Sequence, residues 1–125
     1  MDVTPLVREG QQIVQSYAGG QFQISGQFFD APIIVTPEET NPWDIKNDFS
    51  SLSEKDFDTL LNYTAEYDVF LLGCGSDMAF LPKDLKNTLR SKGLSFDVMD
   101  TGAACRTYNV LMAEGRRVVA AMFPA

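Results

Sequence analysis

The chain has two thiols, Cys74 and Cys105, and no histidine. Its candidate nucleophiles therefore lack the imidazole base that most often activates them. Cys74 sits inside Gly73-Cys74-Gly75, and Cys105 inside the segment DTGAACRTYN, residues 100 to 109. A thiol in the first turns of a helix is expected to have its pKa lowered by the macrodipole, so a thiol enzyme or redox pair is one reading. The other is that both are small packing residues in a reducing compartment, because no CxxC spacing is present. The missing histidines also exclude a Cys/His zinc set, and no sequence-local carboxylate pair suggests acid-base chemistry. No metal or cofactor is implied.

Gly73 and Gly75 permit a tight structural turn or, alternatively, an anion nest of exposed backbone amides. The spacing is not the dinucleotide fingerprint, and Lys83 does not complete a phosphate loop. Arg106 is the single charged side chain between Gly102 and Ala113. Breaking a buried ion pair costs about 3 to 5 kcal/mol; with Arg106 read as buried, a carboxylate from Asp77 or Asp100 is expected beside it. It either clamps the loops or receives an anionic group. Thr101 is read as a helix N-cap, and Thr107 and Asn109 as packing or contact residues.

These residues need elements to hold them. Residues 11 to 28 alternate about an Ala18-Gly19-Gly20 break, which predicts a hairpin, and the IIVTP run adds a third strand to an antiparallel meander. Pro37, Pro42 and Trp43 mark an ordered connection, with Trp43 covering the edge of the core. Ser53 as N-cap, Asp56 three residues on, and the Leu52/Phe57 staple predict an amphipathic helix. Val69 to Leu72 reads as a strand covered on both faces and stopped by glycine. Pro82 to Gly93 carries the start and stop signals of a second helix. Leu94, Phe96 and Val98 alternate as a strand, and a third helix runs from Thr101 or Gly102 to Glu114. The last strand is RRVVAAMF.

The order after the hairpins is α-β-α-β-α-β, which argues an α/β domain with right-handed crossovers into a partly parallel sheet. Both glycine-bearing loops, 73–77 and 100–106, then leave strands at the end where open α/β sheets bind ligands. On the third helix, Ala104, Tyr108, Leu111 and Met112 form a stripe against the sheet. Gly102, Ala103, Arg106, Asn109 and Ala113 form a second small-residue face, expected to meet the hairpins of the same chain or a second molecule.

With 125 residues and 45% hydrophobic content, one domain that buries about two-thirds of its unfolded surface is expected. The 17 acidic against 10 basic residues, a formal charge of −7, oppose nucleic acid and anionic membrane surfaces. The first ten residues carry no signal-peptide or presequence pattern, and no apolar run is long enough for a membrane span. The reading is a cytoplasmic protein of a compact cell, or one lacking its presequence.

The segments LLGCGSDMAFLP and VMDTGAACRTYNVLMAEGRRVVAA resemble a small domain-of-unknown-function family. It includes mitochondrial respiratory complex I assembly factor three and the adipogenesis-associated Mth938-domain proteins. The likeness is specific over residues 70 to 121 and looser through GQFFDAPIIVTP and NPWD. It implies a single Mth938-like domain spanning 1–125, of three layers: a mixed central sheet, N-terminal antiparallel hairpins and three helices. It also implies a role in assembly or protein interaction with no agreed catalytic residue; the absence of a presequence pattern points to a bacterial relative rather than a mitochondrial one.

Two functions are carried forward. The first is a non-enzymatic binding or assembly module, assisting a respiratory or membrane complex, with a protein partner or a second copy. Its surface is drawn from Gly73, Cys74, Gly75, Asp100, Thr101, Arg106, Thr107 and Asn109. The second is an enzyme or sensor holding a small anionic metabolite at the crevice between loops 73–77 and 100–106.

Overall fold

The computed structural model describes residues 10 to 125. Three strands, β1 (Val14–Ser16), β2 (Phe22–Ile24) and β3 (Gln27–Phe29), form a small antiparallel sheet in that order. The larger sheet contains β4 (Ile33–Val35), β5 (Thr40–Pro42), β6 (Val69–Gly73), β7 (Phe96–Met99) and β8 (Val118–Met122). Its order is β5-β4-β8-β6-β7. β6 runs parallel to both β7 and β8, whereas β4 is antiparallel to β5 and β8. The helices are α1 (Asp58–Leu61), α2 (Lys83–Ser91) and α3 (Thr101–Ala113).

The expected meander is redistributed. Its third strand is Gln27–Phe29, while the IIV run enters the large sheet between β5 and β8. Two local facts account for this. Ser25 and Gly26 both adopt positive φ, +46° and +88°, the conformation of a two-residue hairpin turn, so the chain reverses before reaching Ile33. Ile33, Ile34 and Val35 are then all buried, which requires cover on both faces of their strand.

The large sheet divides the core in two. On one face Phe70, Leu72, Phe96, Val119 and Ala121 pack with Phe57, Leu60, Leu89 and Trp43. On the other, Leu71, Val118, Ala120 and Met122 pack with Ala104, Cys105, Tyr108 and Met112 of α3 and with Phe22 and Ile24 of the small sheet. Trp43 covers the edge as expected: it is 3% exposed, its ring meets Phe57 and Phe123, and its indole N–H donates to Asp56 O at 2.8 Å.

The helix expected after Ser53 begins as a 3-10 segment, Glu54–Phe57, and closes after one α turn. Asp56 does accept from the Ser53 N–H at 2.9 Å, so its start was read correctly. Asn62, Tyr63 and Thr64 donate back three residues rather than four, which ends it early. Among the described residues no helix is long and apolar enough to cross a membrane.

Candidate functional site

The parallel pair β6 and β7 ends in the two loops singled out from sequence, and hydrogen bonding joins them to each other and to the exit of β8. Cys74 N–H donates to Met99 O at 3.0 Å, Thr101 N–H to Gly75 O at 2.8 Å, and Phe123 N–H to Gly73 O at 2.9 Å. Thr101 lies at the centre of this junction. Its hydroxyl accepts from Gly75 N–H at 2.9 Å and donates to Phe123 O at 2.7 Å, and the residue is fully buried.

The loops thus converge on a hydrogen-bonded junction, with an open groove of about 420 Å³ beside Cys74, Gly75, Ser76, Asp77 and Phe123. Gly73 is required for close approach: a Cβ there would stand 3.0 Å from both Thr101 Oγ1 and Met122 Cγ. Gly75 is required for its backbone, at φ +106°. The amides of Cys74 and Gly75, which an anion nest would need, already serve Met99 and Thr101. Thr101 is not the N-cap. Asp100 takes that place, its carboxylate accepting from Ala103 N–H at 2.9 Å, which leaves the threonine hydroxyl for the junction.

Both thiols are buried and free. Cys74 Sγ contacts Asp77 O at 3.3 Å and accepts from Ala79 N–H at 3.2 Å. Burial pushes the Cys105 thiol up to about 12, and the nearby Arg106 charge offsets this only in part. Desolvation of the thiolate dominates, so Cys105 follows the packing reading rather than the activated one.

Arg106 is exposed, against the expectation of a buried guanidinium. Neither ion pair among the described residues includes it, so Asp77 and Asp100 are not its salt-bridge partners. Its Nη1 donates to Tyr17 Oη at 2.6 Å. Tyr17 lies across Gly102, where a Cβ would come within 3.0 Å of the ring. Around these residues is a shallow groove of about 350 Å³, which includes Ser76, Asp100, Gly102 and Arg106. The solvent-facing line of α3 also carries Val110, 53% exposed, so the helix is covered on two sides and open on a third.

The small sheet covers the second of these sides, and the same chain supplies the neighbour anticipated there. Asn109 brackets one residue of β1: its Oδ1 accepts from Val14 N–H at 2.9 Å and its Nδ2 donates to Val14 O at 2.8 Å. Tyr108 Oη donates to Gln12 O at 2.7 Å. Asn109 thus serves the chain's own backbone, and Thr107 is half-buried on the same helix.

Sequence reasoning missed a second cluster at the opposite end of the sheet. Tyr67 Oη donates to Glu38 Oε2 at 2.6 Å, Arg117 pairs with Glu38, and the guanidinium lies 4.3 Å from the Tyr67 ring centroid. Partial burial alone would raise the Glu38 carboxyl. Hydrogen bonds from Tyr67 and Arg117, with the Arg117 charge, hold it below its ordinary value instead. Burial and the bond to Glu38 raise the Tyr67 hydroxyl. An adjoining groove of about 440 Å³ includes Glu38, Glu114, Arg116 and Arg117. The sequence signal was the Arg116-Arg117 pair before the last strand, but its partners lie far away along the chain.

A mixed five-stranded sheet with helices on both faces, a small antiparallel sheet folded over α3, and a hydroxyl-locked junction define a compact α/β class. The chain belongs to the protein family of unknown function DUF498/DUF598, whose model matches residues 14–123. It is 34% identical over 111 residues to an uncharacterised protein of Rhodobacter capsulatus, covering 89% of this chain and 83% of that one. It is 26% identical over 111 residues to NADH dehydrogenase [ubiquinone] 1 alpha subcomplex assembly factor 3 of Mus musculus, again 89% of this chain. The match spans 60% of that longer protein.

Among solved structures, a Bordetella parapertussis protein aligns with a TM-score of 0.81 at 31% identity, covering 93% of this chain and 98% of its own. An Mth938-like domain from Bordetella pertussis aligns with a TM-score of 0.72 at 26% identity, covering 99% and 92%. The fold expected from the resemblance is thus the one observed.

Proposed function

We propose that the chain is a single Mth938-like module that works by binding protein, in the manner of an assembly factor for a respiratory or other membrane-associated complex. The observation that carries this reading is the likeness to assembly factor 3 over 89% of the chain. The chemistry of the junction supports it: both thiols are buried and the loop amides of Cys74 and Gly75 are engaged. Arg106, its Tyr17 support and the Asp100 carboxylate supply polar contacts on an accessible groove. The proposed setting is the bacterial cytoplasm.

Deleting the gene in its own cell and resolving the NADH dehydrogenase on native gels tests the proposal. Assembled complex should fall, with wild type restoring it and a folded Arg106→Ala variant restoring it poorly. Full assembly without the protein would overturn the reading. Binding of a small anion at the same groove is the second reading, favoured by the exposed guanidinium. A thermal-shift panel of carboxylates and phosphates decides it, since a ligand at 100 times its Kd adds about 2.7 kcal/mol. That gain should vanish in Arg106→Ala.

A further inference from the structure

Among the described residues, the outer edge of β7 has no neighbour in the sheet order, and an unpaired strand edge is a template for a further strand. Beside it lies a groove of about 390 Å³ that includes Met78, Phe80, Lys86, Phe96 and Val98. Phe80 is 80% exposed and Met78 48% exposed, so the loop between β6 and α2 raises an apolar wall next to open backbone. Phe96 and Val98 pack with the core on the α1/α2 face. Asp97, one residue out of phase, also borders the groove; it is exposed, and its side chain alternates toward the opposite face of the strand.

The charge of this wall is unlike that of the whole chain. In a protein of formal charge −7, α2 presents Lys83, Lys86 and Arg90, all exposed, at the i, i+3, i+7 spacing of one helical stripe. None of the three is in an ion pair among the described residues. Lys86 itself borders the groove. The site therefore combines backbone hydrogen-bonding capacity, an apolar shelf and unpaired positive charge on a single face.

We propose that the β7 edge receives an extended, acidic segment of a partner protein as a sixth strand. The segment's side chains on the α2 face alternate apolar residues, meeting Met78, Phe80 and Val98, with acidic ones meeting the Lys83/Lys86/Arg90 stripe. On its other face the segment passes Asp97, so acidic residues are disfavoured there. A second copy of this chain is a poorer occupant. A twofold antiparallel pairing centred on Asp97 sets two carboxylates opposite each other, and one centred on Val98 sets Asp97 opposite Met99. Either pairing brings two basic stripes together on one face.

The proposal rests on the protein-binding reading above and uses a different surface from the Arg106 groove. Its test is a selection of random dodecapeptides on the intact protein, with affinities of the enriched peptides measured by fluorescence anisotropy. Enriched sequences should carry acidic and apolar residues on alternate positions. They should weaken about tenfold against Phe80→Ser and against Lys86→Glu, and again at about 1 M salt, where the screening length falls to about 3 Å. Backbone N-methylation of one alternate set of peptide residues should abolish binding while the other set is tolerated, a phase dependence that a helix, weakened by either set, or a purely electrostatic contact would not show.

Enrichment of basic peptides, of peptides indifferent to both variants, or of none at all would overturn the proposal. So would a dimer in light scattering that Phe80→Ser dissolves, which would make the edge a self-interface. Co-sedimentation with anionic vesicles that depends on Phe80 and Lys86 would make it a membrane contact instead. If edge variants leave peptide binding unchanged while Arg106→Ala still impairs complex assembly, the edge proposal falls and the binding-module reading stands.

Discussion

The two ends of the large sheet are held by different chemistry. At the end where β6 and β7 finish, the lock is a neutral hydroxyl: Thr101 receives from Gly75 N–H and gives to Phe123 O in a fully buried setting. At the opposite end the lock is a charged group, with Glu38 taking bonds from Tyr67 and Arg117 while the ion pair stays 43% and 52% exposed. The difference teaches where stability resides. A buried polar atom that loses its partner bears the full desolvation penalty, whereas an exposed ion pair is replaced by water and screened by salt.

That contrast orders the expected effects. Thr101→Val keeps shape but orphans an N–H and a carbonyl, and should cost about 2 to 4 kcal/mol in urea unfolding. Thr101→Ser, which restores the hydroxyl, should recover most of it. If valine is tolerated at less than about 1 kcal/mol, the junction is not the stronger lock.

The buried thiol beside the junction gives a pH signature. Folding raises the Cys105 thiol from its ordinary 9.0 to about 12, so in that interval the unfolded chain has lost a proton that the folded chain retains. The contribution is complete below about pH 9 and should be lost as pH rises toward 12. A Cys105→Ala variant should flatten that alkaline limb relative to wild type. Equally fast alkylation of Cys105 in native and urea-unfolded protein would contradict the burial on which this rests.

Asn109→Ala removes both bonds to the Val14 backbone and should cost about 1 to 2 kcal/mol. Hydrogen exchange should speed up in β1 and β2 more than in β6 or β8. A uniform increase would mean that the small sheet and the large one open as one unit.

The smallest effect belongs to the charged end. Glu38→Gln should cost less than about 1 kcal/mol and should lose that cost in high salt. Because the folded carboxyl lies below its ordinary value of 4.5, its contribution is present above that value and declines as pH falls through the lower folded one. A Glu38→Gln penalty equal to that of Thr101→Val would erase the contrast between the two ends.

Much of this arrangement was legible in the chain. The alternation after Leu52 gave the strand and helix order, and glycines at 73 and 75 marked a loop that does meet residues 100 to 106. Arg106 was expected to be buried because its nearly uncharged helix suggested cover along both flanks, as is found, and its guanidinium was placed within that cover. Coverage comes from the sheet and from β1, and the third side is open, a fact of packing that a periodicity cannot contain. Asn109 looked like a contact residue for the same reason: its amide matches any extended backbone, and the one it holds is 95 positions away.

Local chemistry in the sequence determined the elements, their order and the positions where the backbone needs glycine. These follow from side-chain period and steric freedom, which act over a few residues. Only the tertiary structure decided that Thr101 joins three chain segments, that Cys105 is sealed rather than activated, and that, among the described residues, the β7 edge has no neighbouring strand and lies beside a basic stripe. Such features depend on which surfaces meet. Burial and hydrogen-bond partnership are properties of pairs of segments, and no single segment records its neighbour.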